Sequence, residues 1–315
     1  MPPQRPSKSD RLRPMRFSIW PVAQQPFDEV LDVARHAEAS GWDGVWFADH
    51  FMADRDGPVP EETPTLEAGS VVAALAAAVP RVRIGTLVYG ATYRHPAVVA
   101  NMAATVDHVS AGRFVLGVGA GWQVNEHEQY GITLPPVKER IDRFEEYLEV
   151  VASLLRQERT TFAGRYFQLT EALCEPKPVQ DPLPILVGAS GDRMLRITAR
   201  HADAWNTWGL PPRLAERGAV LDAACVKAGR DPHSVERSAQ ALLFMTDDAA
   251  KADALIGRVN RPAYGGPPER VAEVVAAYSD AGVDELIVPD MTLGRGSQRQ
   301  DRMDRFIDEV APSFR

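Results

Sequence analysis

The densest set of chemically capable residues lies in residues 112–131, GRFVLGVGAGWQVNEHEQYG. Its apolar run at 114–118 is short and β-branched enough for a buried strand, and it gives way to glycines at 117, 119 and 121. Such glycines either make a tight turn or let a ligand approach the backbone. Trp122, Asn125, Glu126, His127 and Glu128 follow, polar and aromatic groups delivered to one end of a strand. Gly117 and Gly119 also begin the dinucleotide fingerprint GxGxxG, but position 122 is Trp, too large for the helix–strand packing that motif needs. A Rossmann site is excluded on that residue.

Asp49-His50 closes a second apolar run. A histidine beside a carboxylate can be held in one tautomer for proton transfer or charge stabilisation near neutral pH, or it can simply cap the following loop. Residues 188–191, Gly188-Ala189-Ser190-Gly191, follow a third run and lead into a helical pattern. Free N–H groups at a helix N-terminus favour an anion such as phosphate, although Ser190 or Asp192 could equally serve as a capping side chain. Arg94-His95-Pro96 reads as a helix-start turn with Pro96 in the first position. His127 lies between Glu126 and Glu128, but no second histidine stands at i+4 and the others are scattered without ligand spacing, so no metal is expected. No GxSxG elbow is present for a serine hydrolase. Trp20, Trp46, Phe51, Trp122, Trp205 and Trp208 fall at or beside predicted strand ends. Some are core, and an aromatic mouth also suits a planar cofactor, with Trp20, Phe51, Trp122 and Trp208 lining the substrate pocket.

The elements that must position these groups repeat. Residues 33–49 and 274–290 superpose without a gap, Gly41 on Gly282, Asp43 on Asp284 and Asp49 on Asp290, and a looser copy starts at Leu195. Each copy is a helix, a glycine or Ala-Asp stop, a short hydrophobic strand and a polar end, the signature of alternating α/β architecture with a parallel sheet. Eight strands are predicted, at 16–20, 44–48, 82–88, 114–118, 184–188, 203–206, 238–244 and 284–288. The helices fall near 26–40, 65–79, 96–110, 137–157, 191–201, 212–229, 268–281 and 299–310. Eight such units make a closed (β/α)8 TIM barrel. Insertions at 49–64, 119–136 and 245–267 follow strands and so belong to the C-terminal mouth, the catalytic face of a barrel, while 158–183 precedes strand five.

The 315 residues, 45% hydrophobic, suffice for a sizeable core, and no linker-like stretch divides residues 15–315, which read as one domain. A net charge of -8 argues against nucleic acid or an anionic membrane surface as partner and for a small-molecule substrate. Two cysteines, Cys174 and Cys225, are too few for a disulfide framework and fit a reducing cytoplasm. Residues 1–14 hold four prolines and four basic residues without an apolar core and read as a mobile arm, not a signal peptide. No stretch approaches the roughly 18–20 apolar residues a bilayer span requires.

Together these motifs resemble the luciferase-like monooxygenase superfamily, and within it the branch of oxidoreductases that use the deazaflavin coenzyme F420. The likeness covers nearly all of residues 15–311 and is carried by GWDGVWFADHF (41–51), IGTLVYGATYRHPAVVANMAATVDHVSAGRFVLGVGAGWQVNEHEQYGI (84–132), PILVGASGDRMLRITARHADAWNTWG (184–209) and AGVDELIVP (281–289). The resemblance implies hydride transfer between F420 and an organic substrate, with His50, beside Asp49, at the reactive ring. It implies a non-proline cis peptide at Leu87-Val88 behind the ring, cofactor contacts from Ala120, Gly121 and Asn125, and a phosphate loop at Gly188, Ala189, Ser190 and Gly191. It also implies a homodimer or a multiple of one. FMN in place of F420 would imply a monooxygenase using oxygen, and a non-catalytic cofactor-binding protein is the third reading. The sugar-phosphate dehydrogenases of the branch carry a catalytic Glu where this chain has Trp122 and a Trp where it has Asp54, so their reaction does not transfer.

Overall fold

The structure, a computed structural model, describes residues 14–315, so the predicted arm lies outside the described residues but for Pro14. Eight parallel strands form the barrel: β1 (Arg16–Trp20), β2 (Gly44–Phe47), β3 (Arg83–Thr86), β4 (Phe114–Gly119), β5 (Ile185–Gly188), β6 (Ala204–Trp208), β7 (Glu236–Gln240) and β8 (Glu285–Pro289). Each pairs with the next, and β8 pairs back onto β1 with Arg16 opposite Glu285 and Trp20 opposite Pro289, which closes the sheet. Helices follow the strands and pack outside. The helix Phe27–Ser40 shows the local logic: Asp28 and Glu29 suit its positive N-terminal end, and Gly41, at φ 90°, ends it with an N–H bond to the Ala37 carbonyl.

The sequence repeat has a bonding counterpart. Asp43, just before β2, accepts the Phe17 N–H of β1 at 2.8 Å; Asp284, just before β8, accepts the Arg237 N–H of β7 at 2.8 Å; Asp203, just before β6, accepts the Ile185 N–H of β5 at 3.0 Å. The glycine-Asp or Ala-Asp stop therefore ties each incoming strand to its predecessor. Gly41 and Gly282 adopt the same left-handed turn, with φ 90° and 82°.

Two cores result. The larger lies between the sheet and the helices and holds Phe17, Ile19, Val45, Phe47, Leu116, Val187 and Val288. The smaller fills the barrel itself with Trp46, Leu87, Val115, Leu186, Ala204 and Ile287, Trp20 and Val88 packing against it. Trp46 occupies the space that a side chain at Gly85 would need. Its indole N–H donates to Glu285 Oε1 at 2.8 Å, and Glu285 also accepts from Ser18 at 2.5 Å and Arg83 at 3.1 Å, so the lower barrel is closed by a satisfied buried polar network.

Two predicted strands are corrected. The seventh, expected at 238–244, ends at Gln240, and Leu242–Met245 leaves the barrel to pair in parallel with Ala263–Gly266. Hydrophobicity misplaced it because β7 turns polar Ser238 toward Asn206 (2.9 Å) while the apolar run begins only after it. The third, expected at 82–88, is interrupted after Thr86 and resumes at Tyr89–Gly90. The hairpin Thr160–Ala163 with Gln168–Ala172 and the helices Val124–Tyr130 and Ala249–Ile256 were not foreseen. No described helix is long and apolar enough to cross a membrane.

Candidate active site at the barrel mouth

The interruption in β3 shapes the mouth. Ile84 pairs with Phe114 and Tyr89 with Val118, so five residues on one strand span the interval that four cover on the other. That is a one-residue bulge, and the Leu87–Val88 peptide within it is cis. The bulge presses Val88 toward β4 and β5. A Cβ at Gly119 would lie 2.8 Å from Val88 Cγ2, one at Gly188 would lie 3.0 Å from the same atom, and one at Gly117 would overlap the Thr86 carbonyl oxygen. The strand glycines, expected to admit a ligand or make a turn, are thus required by the neighbouring strand. Thr86 locks the arrangement by donating to the Gly117 carbonyl at 2.7 Å and accepting its N–H at 2.9 Å.

His50 leaves the end of β2 and meets the helix Val124–Tyr130, whose first turn carries Glu126. His50 Nδ1 lies 2.8 Å from Glu126 Oε1, Tyr93 donates its hydroxyl to the same oxygen at 2.8 Å, and the Phe51 N–H donates to Oε2. Glu126 is fully buried and the His50 side chain is 25% exposed. Burial opposes ionisation of Glu126, yet the bonds from His50, Phe51 and Tyr93 outweigh it and hold the carboxyl below its ordinary range. A buried carboxylate on Nδ1 fixes the ring's orientation and leaves Nε2, which makes no hydrogen bond among the described residues, for a reactant. Burial, followed by the Glu126 charge, pushes the Tyr93 hydroxyl well above its usual range, so it serves as a neutral donor.

The carboxylate on His50 is therefore Glu126, 76 residues away, and the pairing expected with Asp49 does not form. Neighbouring residues of an extended chain point to opposite faces. Asp49 accepts the Gly90 N–H at 2.9 Å and both arms of the Arg94 guanidinium at 2.7 and 2.9 Å. Burial raises the Asp49 carboxyl against the pull of Arg94, while that ion pair raises Arg94 despite its own burial; the two-armed geometry favours the charged pair. Its counterpart in the repeat, Asp290, does the same at the other end of the chain, accepting the Val22 N–H at 3.0 Å and Arg299 at 2.7 Å. Asp49 is a brace of the mouth. Arg94, read as part of a helix-start turn, also holds Glu67 at 2.6 Å, while His95 does cap the helix through the Ala97 N–H at 3.2 Å.

The loop after β4 clasps the loop after β2. Asn125 Nδ2 donates to the Ala53 carbonyl at 2.8 Å and Gln123 Nε2 to the Met52 carbonyl at 3.1 Å, while Asn125 Oδ1 is buried with no partner among the described residues. Gly121, at φ 84°, turns the chain after Ala120 where a side chain would come within 2.5 Å of Thr92 Oγ1. His127 is spent on structure, its nitrogens 2.6 Å from the Gln123 carbonyl and 2.8 Å from Thr92 Oγ1. Trp122 is 52% exposed and meets His50 edge-on at 5.6 Å between ring centres. Phe51 stacks on Tyr130 at 5.2 Å, and Trp20 meets Trp208 edge-on at 5.7 Å, with Arg261 over the Trp208 ring at 5.0 Å.

Beyond β5, Gly191 caps the helix Asp192–His201 without any side-chain bond, and Ser190 and Gly191 are exposed. Asp192, a possible cap, is turned instead to Arg217. The first N–H groups of that helix therefore keep their capacity for an anion. Hydrogen bonds and ring contacts thus gather His50, Phe51 and Trp122 with Glu126 and Tyr93, Asn125 is bonded instead to Ala53 and Glu61, and Val88 links the bulge to Gly188. A separate groove of about 680 Å³, lined by Leu210, Pro212, Tyr264 and Val274, involves none of these residues.

This barrel, bulged at β3 and carrying its polar groups on the loops after β2 and β4, defines a class of protein, and the chain belongs to the luciferase-like monooxygenase family, whose profile matches residues 12–265. Among its relatives are an F420-dependent glucose-6-phosphate dehydrogenase of Nakamurella multipartita, 38% identical over 64% of this chain and 58% of the relative, and an F420-dependent hydroxymycolic acid dehydrogenase of Mycobacterium tuberculosis, 30% identical over 81% and 74%. Pyrimidine monooxygenase RutA of Cronobacter sakazakii is 32% identical over 74% and 65%. The chain spans between 58% and 66% of the length of the first curated relatives it matches. The same fold occurs in an F420-dependent secondary alcohol dehydrogenase solved with an F420-acetone adduct, with TM-score 0.84, 22% identity and coverage of 96% and 100% of the two chains.

Proposed function

We propose that this protein is an oxidoreductase that transfers a hydride between coenzyme F420 and a small organic substrate. The observation that carries the reading is the His50–Glu126 pair: an imidazole at the barrel mouth, anchored through Nδ1 at 2.8 Å by a buried carboxylate, with Nε2 available. The relatives that use F420, one of them 74% covered by this chain, support the choice of cofactor.

The residues present suit that cofactor. The buried, unpartnered Asn125 Oδ1 calls for a donor at the mouth, and the uncapped helix start at Ser190 and Gly191 calls for an anion. Ala120 and Gly121 would present backbone, and Leu87, Val88, Gly188 and Ala189 would form the wall behind the ring. Coenzyme F420, when bound, supplies the carbon that gives or accepts the hydride. His50 Nε2 gives or takes the accompanying proton, Glu126 holds its ring, and Tyr93 and the Phe51 N–H keep Glu126 ionised. Trp122, without charge and half-exposed against His50, and the Trp20–Trp208 pair suit a largely apolar substrate and not a sugar phosphate. Both cysteines are buried and unbonded, in keeping with a cytoplasmic protein. The assembly that the resemblance implies is a homodimer or a multiple of one.

The test is a paired fluorescence titration of the protein with F420 and with FMN. Binding of F420 tighter than FMN by about a hundredfold, roughly 2.7 kcal/mol, is the expected result. Preference for FMN would overturn the assignment and favour the monooxygenase reading that the RutA relative supports; oxygen uptake with reduced FMN is then the next measurement.

A further inference from the structure

Away from the mouth, on the outer helical layer, three side chains converge that neither the barrel nor the proposed reaction uses. Glu145 and Glu149 stand one turn apart on the helix Val137–Arg156, and His201 is the last residue of the helix Asp192–His201 packed beside it. One ligand atom from each lies within 4.8 Å of the other two. His201 Nε2 is 3.7 Å from Glu145 Oε1 and 3.8 Å from Glu149 Oε1, too far for hydrogen bonds. It is nevertheless shielded from solvent and has no hydrogen-bond partner among the described residues. A buried ring nitrogen facing two carboxylate oxygens across gaps of that size is unexplained by the protein alone.

We propose that Glu145, Glu149 and His201 form a binding site for a divalent transition-metal ion of the zinc type. Such an ion takes imidazole nitrogen and carboxylate oxygen at about 2.0–2.2 Å, which puts tetrahedral ligand atoms about 3.4 Å apart, so the two gaps to His201 close by about 0.4 Å and the two carboxylates by no more than about 1.4 Å. The carboxylates balance the ion's charge, and Glu149, with its side chain 44% exposed, leaves a side open for water as the fourth ligand. Arg200 also contacts Glu145 Oε1 and competes for that carboxylate. The ion would staple two neighbouring helices, the second of which begins at Gly191 with the proposed anion site. The spacing of histidines along the chain could not reveal this set, because its members are brought together only by helix packing.

The experiment is calorimetric titration of the full-length protein, freed of metal by a chelator, with ZnCl2. One equivalent is expected to bind. His201→Gln and Glu149→Gln should each weaken binding at least about tenfold, and Arg200→Gln should strengthen it by removing the competitor. Cobalt(II) should give a visible absorption band that His201→Gln abolishes. Glu149→Gln alters an exposed side chain, and its far-ultraviolet circular dichroism should match the wild type, which separates loss of a ligand from loss of the fold. No saturable zinc binding by the wild type, or unchanged affinity in the His201 and Glu149 variants, would overturn the proposal. The readout does not depend on cofactor or substrate, so it stands apart from the test of the proposed function.

Discussion

Replacing Glu126 with Gln keeps shape and removes charge, and the structure fixes what should follow. Three donors converge on the carboxylate: His50 Nδ1 and the Tyr93 hydroxyl on Oε1, each at 2.8 Å, and the Phe51 N–H on Oε2. Glutamine has one acceptor oxygen, so with its amide NH2 on the Oε2 side it faces the Phe51 N–H, donor against donor. Leaving one buried donor unsatisfied costs about 1–3 kcal/mol. Because the folded Glu126 is held below its ordinary value of 4.5, its contribution is complete above that pH and is lost as the pH falls through the folded value. Urea unfolding of wild type and Glu126→Gln at pH 7 should therefore differ by about 1–3 kcal/mol. The gap should begin to close as the pH drops below 4.5, where the unfolded carboxyl takes up its proton, and should vanish below the lower folded value, where the folded carboxyl is protonated too and resembles the amide. A gap that is absent at pH 7, or that stays constant down to the acid transition, would refute the reasoning. The same variant should lower turnover by freeing the His50 ring while leaving F420 affinity within about twofold, since 0.4 kcal/mol is twofold.

Further outcomes follow from other groups. His50→Ala should cut hydride transfer by about 10²–10⁴-fold in stopped-flow absorbance while cofactor affinity is kept; wild-type turnover in that variant would remove His50 from the mechanism. Alanine at the strand glycines should destabilise in the order Gly117, then Gly119, then Gly188, because the new Cβ meets backbone at the first and the Val88 side chain at 2.8 and 3.0 Å at the others. Thermal melts should show a loss of about 3 kcal/mol or more for Gly117→Ala, and equal effects at all three positions would contradict the bulge packing. Arg94→Met strands the buried Asp49 carboxyl and should cost about 3–5 kcal/mol. Arg55→Met, at an exposed and solvent-screened pair with Glu128, should cost far less; denaturant titrations that rank them the other way would refute the bracing role of Asp49.

Local pattern made most of the barrel legible. Strands such as 44–48 and 284–288 were placed within a residue because each is a short apolar run bounded by a glycine and Asp stop and a polar end. The stop itself proved physical, since Asp43, Asp203 and Asp284 all bond to the preceding strand. Where the pattern misled, the cause was also local: β7 faces the barrel with Ser238 and Gln240, so an apolar run one step later drew the boundary. The helix Ala249–Ile256 had a readable signal, Asp248 capping the Lys251 N–H at 3.1 Å. The seven-residue helix Val124–Tyr130 had little beyond Gly131 at its end.

The sequence by itself determined the eightfold βα rhythm, the family, and the residues that reach the mouth, because strand and helix periods, glycine stops and motif order are properties of neighbours along the chain. It could not say which partners those residues take. That His50 is held by Glu126 and not by Asp49, that Gly117, Gly119 and Gly188 make room for the β3 bulge, and that His201 faces Glu145 and Glu149 were decided only when the sheet closed and its helices packed. Those contacts join groups tens of residues apart, and their geometry is set by strand register and helix packing, which no local pattern encodes.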